Sequence, residues 1–133
     1  MFYGTDNMIL VDSSVWIEYF KGNESVLPLN ELIDSNNLCI NELILAELLP
    51  SINHKKEIEL KEILLAIQKI DMIIDWNNII SMQTSNLKIG INKVGISDLI
   101  IAQNAIKNSI ELYAIDKHFI LMSEIHDLKI FRI

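Results

Sequence analysis

One cysteine, two prolines and four glycines are spread over 133 residues. With a single Cys39 there is no internal disulfide, and its apolar setting reads as a buried thiol of a cytosolic protein. Scarce proline and glycine, with no repeat, low-complexity tract or Pro/Gly/Ser-rich linker, argue against a disordered chain or a jointed one. Residues 1–133 therefore read as one domain, long enough to bury a core. Long apolar runs are missing too. None approaches the roughly 20 residues that a membrane-spanning helix needs. Residues 1–7 carry no positive charge ahead of the first apolar run, which stops at Asp12, so no signal peptide is expected. The expected location is cytoplasmic, without membrane contact. Basic residues are also few: ten lysines and Arg132 stand against 18 acids, a net charge of −7. That balance counts against coating of nucleic acid by the whole surface. It does not exclude a nuclease, because acids clustered in a site account for part of the deficit and are offset by a bound cation. Lys55, Lys56 and Lys61 are the nearest thing to a basic cluster, and a solvated helix face explains them.

What is present is a hydrophobic half of the chain arranged in alternating patterns. Strands are expected at 8–12, 38–40, 72–74 and 112–115, with a last one at 130–131. Helices are expected at 14–20, 23–34, 42–54, 57–70, 76–91 and 98–107, with Ser14, Asn41 and Ser97 as caps. Strands separated by helices need crossover connections. The fold class is therefore α/β, a three-layer sandwich with a mostly parallel sheet of four or five strands and helices on both faces.

Such a sheet ends all its strands at one edge, where α/β folds bind ligands. Met8-Ile9-Leu10-Val11-Asp12 is an apolar run that delivers a carboxylate to that edge, and Asp116 ends the fourth expected strand there. Asp98 opens a helix that can start at the same edge. Glu47 lies just over a turn into the helix after the second strand, with Leu43, Ile44, Pro50 and Ser51 as its helix-face neighbours. An unpaired carboxylate on such a face is costly unless it binds something or reaches water in a cleft. Each acid also has an ordinary explanation: a turn for Asp12, the helix dipole for Asp98, a cap for Asp116. Their common edge is what singles them out. Glu42, five positions from Glu47, reads as a first-turn acid.

Four converging carboxylates repel one another, so a metal-free cluster titrates as a unit with at least one pKa raised. Mg²⁺ takes hard oxygen ligands, and two ions at roughly 4 Å serve in-line displacement at phosphorus. One of the carboxylates can orient or deprotonate the attacking water. Other chemistries find less support. His54, His118 and His126 lack metal-ligand spacing with one another or with Cys39 and read as surface or boundary residues. There is no glycine-rich phosphate loop and no nucleophile elbow around Ser13 and Ser14. Trp16, Tyr19 and Phe20 follow helical spacing, as core or interface residues do.

Asp12-Ser13-Ser14-Val15-Trp16-Ile17 resembles the Asp-x-Ser/Thr-x-Trp-Ile opening of PIN domains, most closely the VapC-type ribonuclease toxins of toxin–antitoxin pairs. Leu45-Ala46-Glu47-Leu48-Leu49, Ser97-Asp98-Leu99-Ile100-Ile101-Ala102 and Ile115-Asp116-Lys117-His118-Phe119 are similar to the second, third and fourth acidic motifs, in order. The resemblance implies a Mg²⁺- or Mn²⁺-dependent endoribonuclease acting on RNA phosphodiester bonds. Asp12 and Asp98 are then the principal metal ligands, Glu47 and Asp116 complete the site, and Ser14 supports Asp12. It also implies a homodimer neutralised by an antitoxin whose C-terminal segment covers the acidic cleft. An acidic toxin suits a basic partner segment. One departure stands out: where the fourth motif often has Thr or Ser two residues before its acid, this chain has Ala114.

Two other readings compete. A receiver-like signalling module would use Asp75 as phosphoacceptor and Lys117 as the phosphate-reading cation. It lacks the acid pair expected after the first strand and leaves Glu47 unexplained. A PIN fold that only binds a partner is the other, and the intact acidic set speaks against it.

Overall fold

The structure is a computed structural model that describes residues 8–132. Residues 1–7, on which the expected absence of a signal peptide rested, lie outside them. Among the described residues five short strands form one parallel sheet: β1 Ile9–Val11, β2 Leu38–Ile40, β3 Gln68–Lys69, β4 Glu111–Tyr113 and β5 Lys129–Ile130. Their order is β3-β2-β1-β4-β5. Between them run α1 Ser13–Phe20, α2 Leu29–Asp34, α3 Glu42–His54, α4 Ile58–Ala66, α5 Trp76–Lys88, α6 Ile96–Lys107 and α7 Lys117–Ser123. The α/β class and the parallel sheet are as expected. Among the described residues no helix is long and apolar enough to cross a membrane.

The strand order positions everything that follows. From β1 the chain moves outward through β2 to β3, then crosses back beyond β1 to β4 and continues to β5. Right-handed crossovers in opposite directions put the two sets of helices on opposite faces of the sheet. The order reverses between β1 and β4, and a crevice opens there at the strands' carboxyl ends. The strands that flank it are buried on both faces: Leu10, Val11, Ile40 and Leu112 have no exposed surface. That is why they read as continuous apolar runs and not as alternations. Cys39 lies buried among them, and burial pushes its thiol up to about 12.

Several expected boundaries shift, each for a local reason. The helix at 14–20 starts one residue earlier. Asp12, with extended backbone, is its cap in place of Ser14, accepting the Ser14 N–H. The expected helix 23–34 is broken at Pro28, which has no N–H to donate. A 3-10 turn, Glu24–Val26, precedes it and α2 follows it. Gly95, not Ser97, caps α6, so Asp98 is the third helical residue. The third strand is not at 72–74: Ile67 turns extended and Gln68–Lys69 pair with β2, while Ile73 is 78 % exposed. The helix expected to continue to 70 therefore stops at Ala66. Finally, α7 fills the connection from β4 to β5, and is too short for its periodicity to show. The aromatic trio packs as a core-edge cluster, with Trp16 wholly buried against Tyr19 and Phe20. Glu42 pairs on the surface with Lys69 at 2.6 Å.

Candidate metal centre

At the β1–β4 reversal the chain brings its acids together. Asp12 follows β1 directly, and its backbone N–H bonds to the Tyr113 carbonyl at 2.9 Å, tying the residue to β4. Its side chain is 4 % exposed and caps α1. One carboxylate oxygen accepts from the Ser14 N–H at 3.2 Å and from the Ser14 hydroxyl at 2.5 Å. Ser14 thus touches Asp12 from within the first turn. Asp116, three residues beyond β4, plays the same structural part for α7, accepting the His118 N–H at 2.8 Å. Asp98 sits in the first turn of α6. Three helix N-termini, with their partial positive charge, thus face the crevice and help to hold anionic groups there.

Glu47 comes from α3 on the opposite flank. It is exposed, not sunk in the apolar face that its neighbours in sequence suggested. Electrostatics nevertheless joins it to the others. Burial raises the Glu47 pKa first, then the neighbouring charge of Asp12, with a weaker contribution from Asp98; the Ser13 side chain opposes them by hydrogen bonding. Asp98 is raised by burial, then by Asp12 and Asp116, with His118 pulling the other way. Asp12 is raised chiefly by burial, against the Ser14 and Ser13 hydrogen bonds, with Asp116 adding to the rise. Asp12 and Asp98 therefore link all four acids, each within electrostatic reach of both Glu47 and Asp116, and Asp12, Glu47 and Asp98 are held above the usual carboxylate range.

The tightest grouping is Asp98, Asp116 and His118, whose ligand atoms lie within 4.8 Å of one another. His118 Nδ1 stands 3.3 Å from Asp116 Oδ1. Sequence spacing had set His118 aside with His54 and His126, because its partners are not histidines. The signal that could have found it is its place two residues after an acid at a strand end, in the first turn of a helix. His126 is elsewhere, bonded to Asn86 at 2.9 Å. Asp75, the phosphoacceptor of the receiver-like reading, follows no strand and instead caps α5 through the Asn78 N–H. Ala114 is half-buried and brings no hydroxyl to the crevice.

The donor set suits a hard divalent cation. Carboxylate oxygens are the ligands that Mg²⁺ and Mn²⁺ prefer. Beyond burial, the charge of Asp12 raises both Glu47 and Asp98, and a cation relieves that repulsion. Beside Glu47, and lined by none of the other three acids, a groove of about 290 Å³ runs between α1, α3 and α4, with Ile17, Phe20 and Leu48 along it and Lys21 and Lys55 also lining it.

The family model for the PIN domain matches residues 9–124. Two solved structures share the fold. One is VapBC2 from Rickettsia felis bound to a DNA fragment from their promoter, with a TM-score of 0.72 and 21 % identity. That match covers 93 % of this chain and 97 % of that one. The other is FitAcB from Neisseria gonorrhoeae, with a TM-score of 0.68 and 20 % identity, covering 94 % and 97 %. No curated protein matches the sequence.

Proposed function

The chain belongs to the PIN domain family, and from that premise we propose that it is a Mg²⁺- or Mn²⁺-dependent endoribonuclease acting as the toxin of a toxin–antitoxin pair. The observation that carries this reading is the gathering of Asp12, Glu47, Asp98 and Asp116 at the β1–β4 reversal, where burial and neighbouring carboxylates raise the pKa values of Asp12, Glu47 and Asp98. Asp12 and Asp98 are the principal ligands, and Glu47 and Asp116 complete the set, with His118 beside Asp116. A divalent ion bound there supplies Lewis-acid activation of water and neutralises charge developing on the phosphate.

The chain's own residues do the rest. The two Ser14 hydrogen bonds fix the orientation of the Asp12 carboxylate. Glu47, exposed at the cleft and held above the usual carboxylate range by burial and by Asp12, accepts the proton of the attacking water as its oxygen bonds to phosphorus; the bond to the sugar oxygen breaks, and that oxygen leaves with a proton from solvent. The apolar groove beside Glu47 suits the segment of an antitoxin. The two structural relatives, VapBC2 and FitAcB, support a partner of that kind. A homodimer and a cytoplasmic location belong to the same reading.

The test is cleavage of a pool of structured cellular RNAs by the purified protein and by Asp12→Asn, with Mg²⁺ or Mn²⁺ and then with chelator. Discrete products from wild type alone, lost on chelation, are expected. Equal cleavage by both proteins would place the activity elsewhere.

A further inference from the structure

Two buried amides are left over from the site. Asn41, the cap of α3, has no exposed surface, and Asn104 on α6 is 4 % exposed. Asn41 Oδ1 accepts the Ile44 N–H at 2.9 Å, and its Nδ2 donates to Asn104 Oδ1 at 2.8 Å. Asn104 Nδ2 in turn donates to the Asp71 carbonyl at 3.0 Å. The result is a buried hydrogen-bonded chain running from the cap of α3 through α6 to the segment after β3. A helix cap alone requires only the first of these bonds, and burying two amides is costly unless they are paired.

Glu47 lies six residues beyond Asn41 on α3, and Asp98 six residues before Asn104 on α6. At a rise of 1.5 Å per residue, the same span of about 9 Å separates amide from acid on each helix. Followed from the bridge, one helix leads forward to Glu47 and the other backward to Asp98. The charge of Asp98 reaches Glu47, as the smallest of the contributions to its raised pKa. Apolar packing between α3 and α6 resists sliding weakly, whereas a directional amide pair fixes register.

We propose that the Asn41–Asn104 bridge is the positioning device that sets the separation of Glu47 and Asp98, and so the divalent-metal affinity of the cleft. The inference rests on the metal-site reading above. It assigns a role to two residues that touch neither metal nor substrate.

The test is Mn²⁺ binding by the full chain, followed by calorimetry and by the electron paramagnetic resonance signal of free Mn²⁺, with thermal unfolding alongside. Asn41→Ser keeps a capping oxygen but cannot span to Asn104, and Asn104→Ala removes the other end. Each is expected to weaken Mn²⁺ binding about tenfold, as loss of a residue that orients a ligand does. The double variant should lose little more than either single one, because both act through one bond. Leu29→Ala, a cavity variant on α2, should lower stability yet bind Mn²⁺ as wild type does. Wild-type affinity in Asn41→Ser, which decides alone if Asn104→Ala fails to fold, overturns the proposal. So does a loss no larger than that of Leu29→Ala. Wild type that binds no Mn²⁺ overturns the metal-site reading and this inference together, which separates the two failures.

Discussion

Stability should depend on divalent metal and on pH in a way that the acid cluster dictates. Asp12, Glu47 and Asp98 are all raised, first by burial and then by one another's charge or that of Asp116. A carboxyl whose folded pKa lies above its unfolded one binds more protons in the folded state. Its stabilising contribution is therefore fully present in acid and is lost as pH rises from the ordinary carboxylate range through the folded value. At pH 7 the metal-free cluster is a destabilising element, and a bound cation offsets it. With Mn²⁺ at a hundred times its Kd, linkage gives about 2.7 kcal/mol. A chain of 133 residues has an unfolding entropy of about 0.3 kcal/mol per kelvin, so Tm should rise by about 10 °C. Protons compete for the same oxygens at pH 5, so the rise there should be smaller at equal Mn²⁺. Asp12→Asn keeps an oxygen for the Ser14 N–H and hydroxyl, and so keeps the α1 cap. It should fold, lose most of the metal-induced rise, and show a weaker pH dependence when metal-free. Scanning calorimetry at the two pH values, with and without Mn²⁺, reads all of this. A metal-induced rise in Asp12→Asn as large as in wild type, or one undiminished at pH 5, would refute the reasoning.

Three other perturbations have definite outcomes. Asp98→Asn should abolish RNA cleavage in a gel assay while circular dichroism and Tm show an intact fold, since Gly95 and not Asp98 caps α6. Gln103 holds the Asp75 backbone from both sides, accepting its N–H at 3.1 Å and donating to its carbonyl at 3.0 Å, and it also bonds Asn78. Gln103→Leu should therefore cost about 1–3 kcal/mol in denaturant unfolding and speed amide exchange across 71–75. The buried Cys39 thiol, pushed up to about 12, should stay unreactive to iodoacetamide at pH 8 in the folded protein and label only on unfolding.

Asp12 and Asp116 were legible because a buried parallel strand announces itself as an apolar run, and whatever stops the run stands at the ligand edge; Glu47 was picked out by an apolar helix face, yet it is exposed. Asp12 needed only that argument. Asn41 and the full extent of α3 were equally plain, since a side-chain cap and thirteen residues of pattern agree. Less visible were features set by distant partners. His118 joins Asp98 and Asp116 only through the fold, and the hydrogen-bonded pairing of Asn41 with Asn104 spans 63 residues.

The third strand shows the same limit, and it can be tested. Met72-Ile73-Ile74 has the β-branched, apolar character of a buried strand, but short apolar runs do not say which neighbour they pair with. Register with β2 is taken instead by Gln68 and Lys69, whose own side chains are exposed, and Ile70 N–H closes the ladder on the Ile40 carbonyl at 2.9 Å. The chain then leaves the sheet, with Ile73 78 % exposed and the Asp71 and Asp75 backbones held by Asn104 and Gln103. With that pairing, Ile73→Thr removes little buried surface and should change unfolding free energy by no more than about 0.5 kcal/mol. Were residue 73 in a core strand, the same change would cost a buried aliphatic group and bury a hydroxyl, well over 1 kcal/mol. Denaturant unfolding separates the two, and the larger loss would mean that the sheet pairs as the sequence pattern suggested.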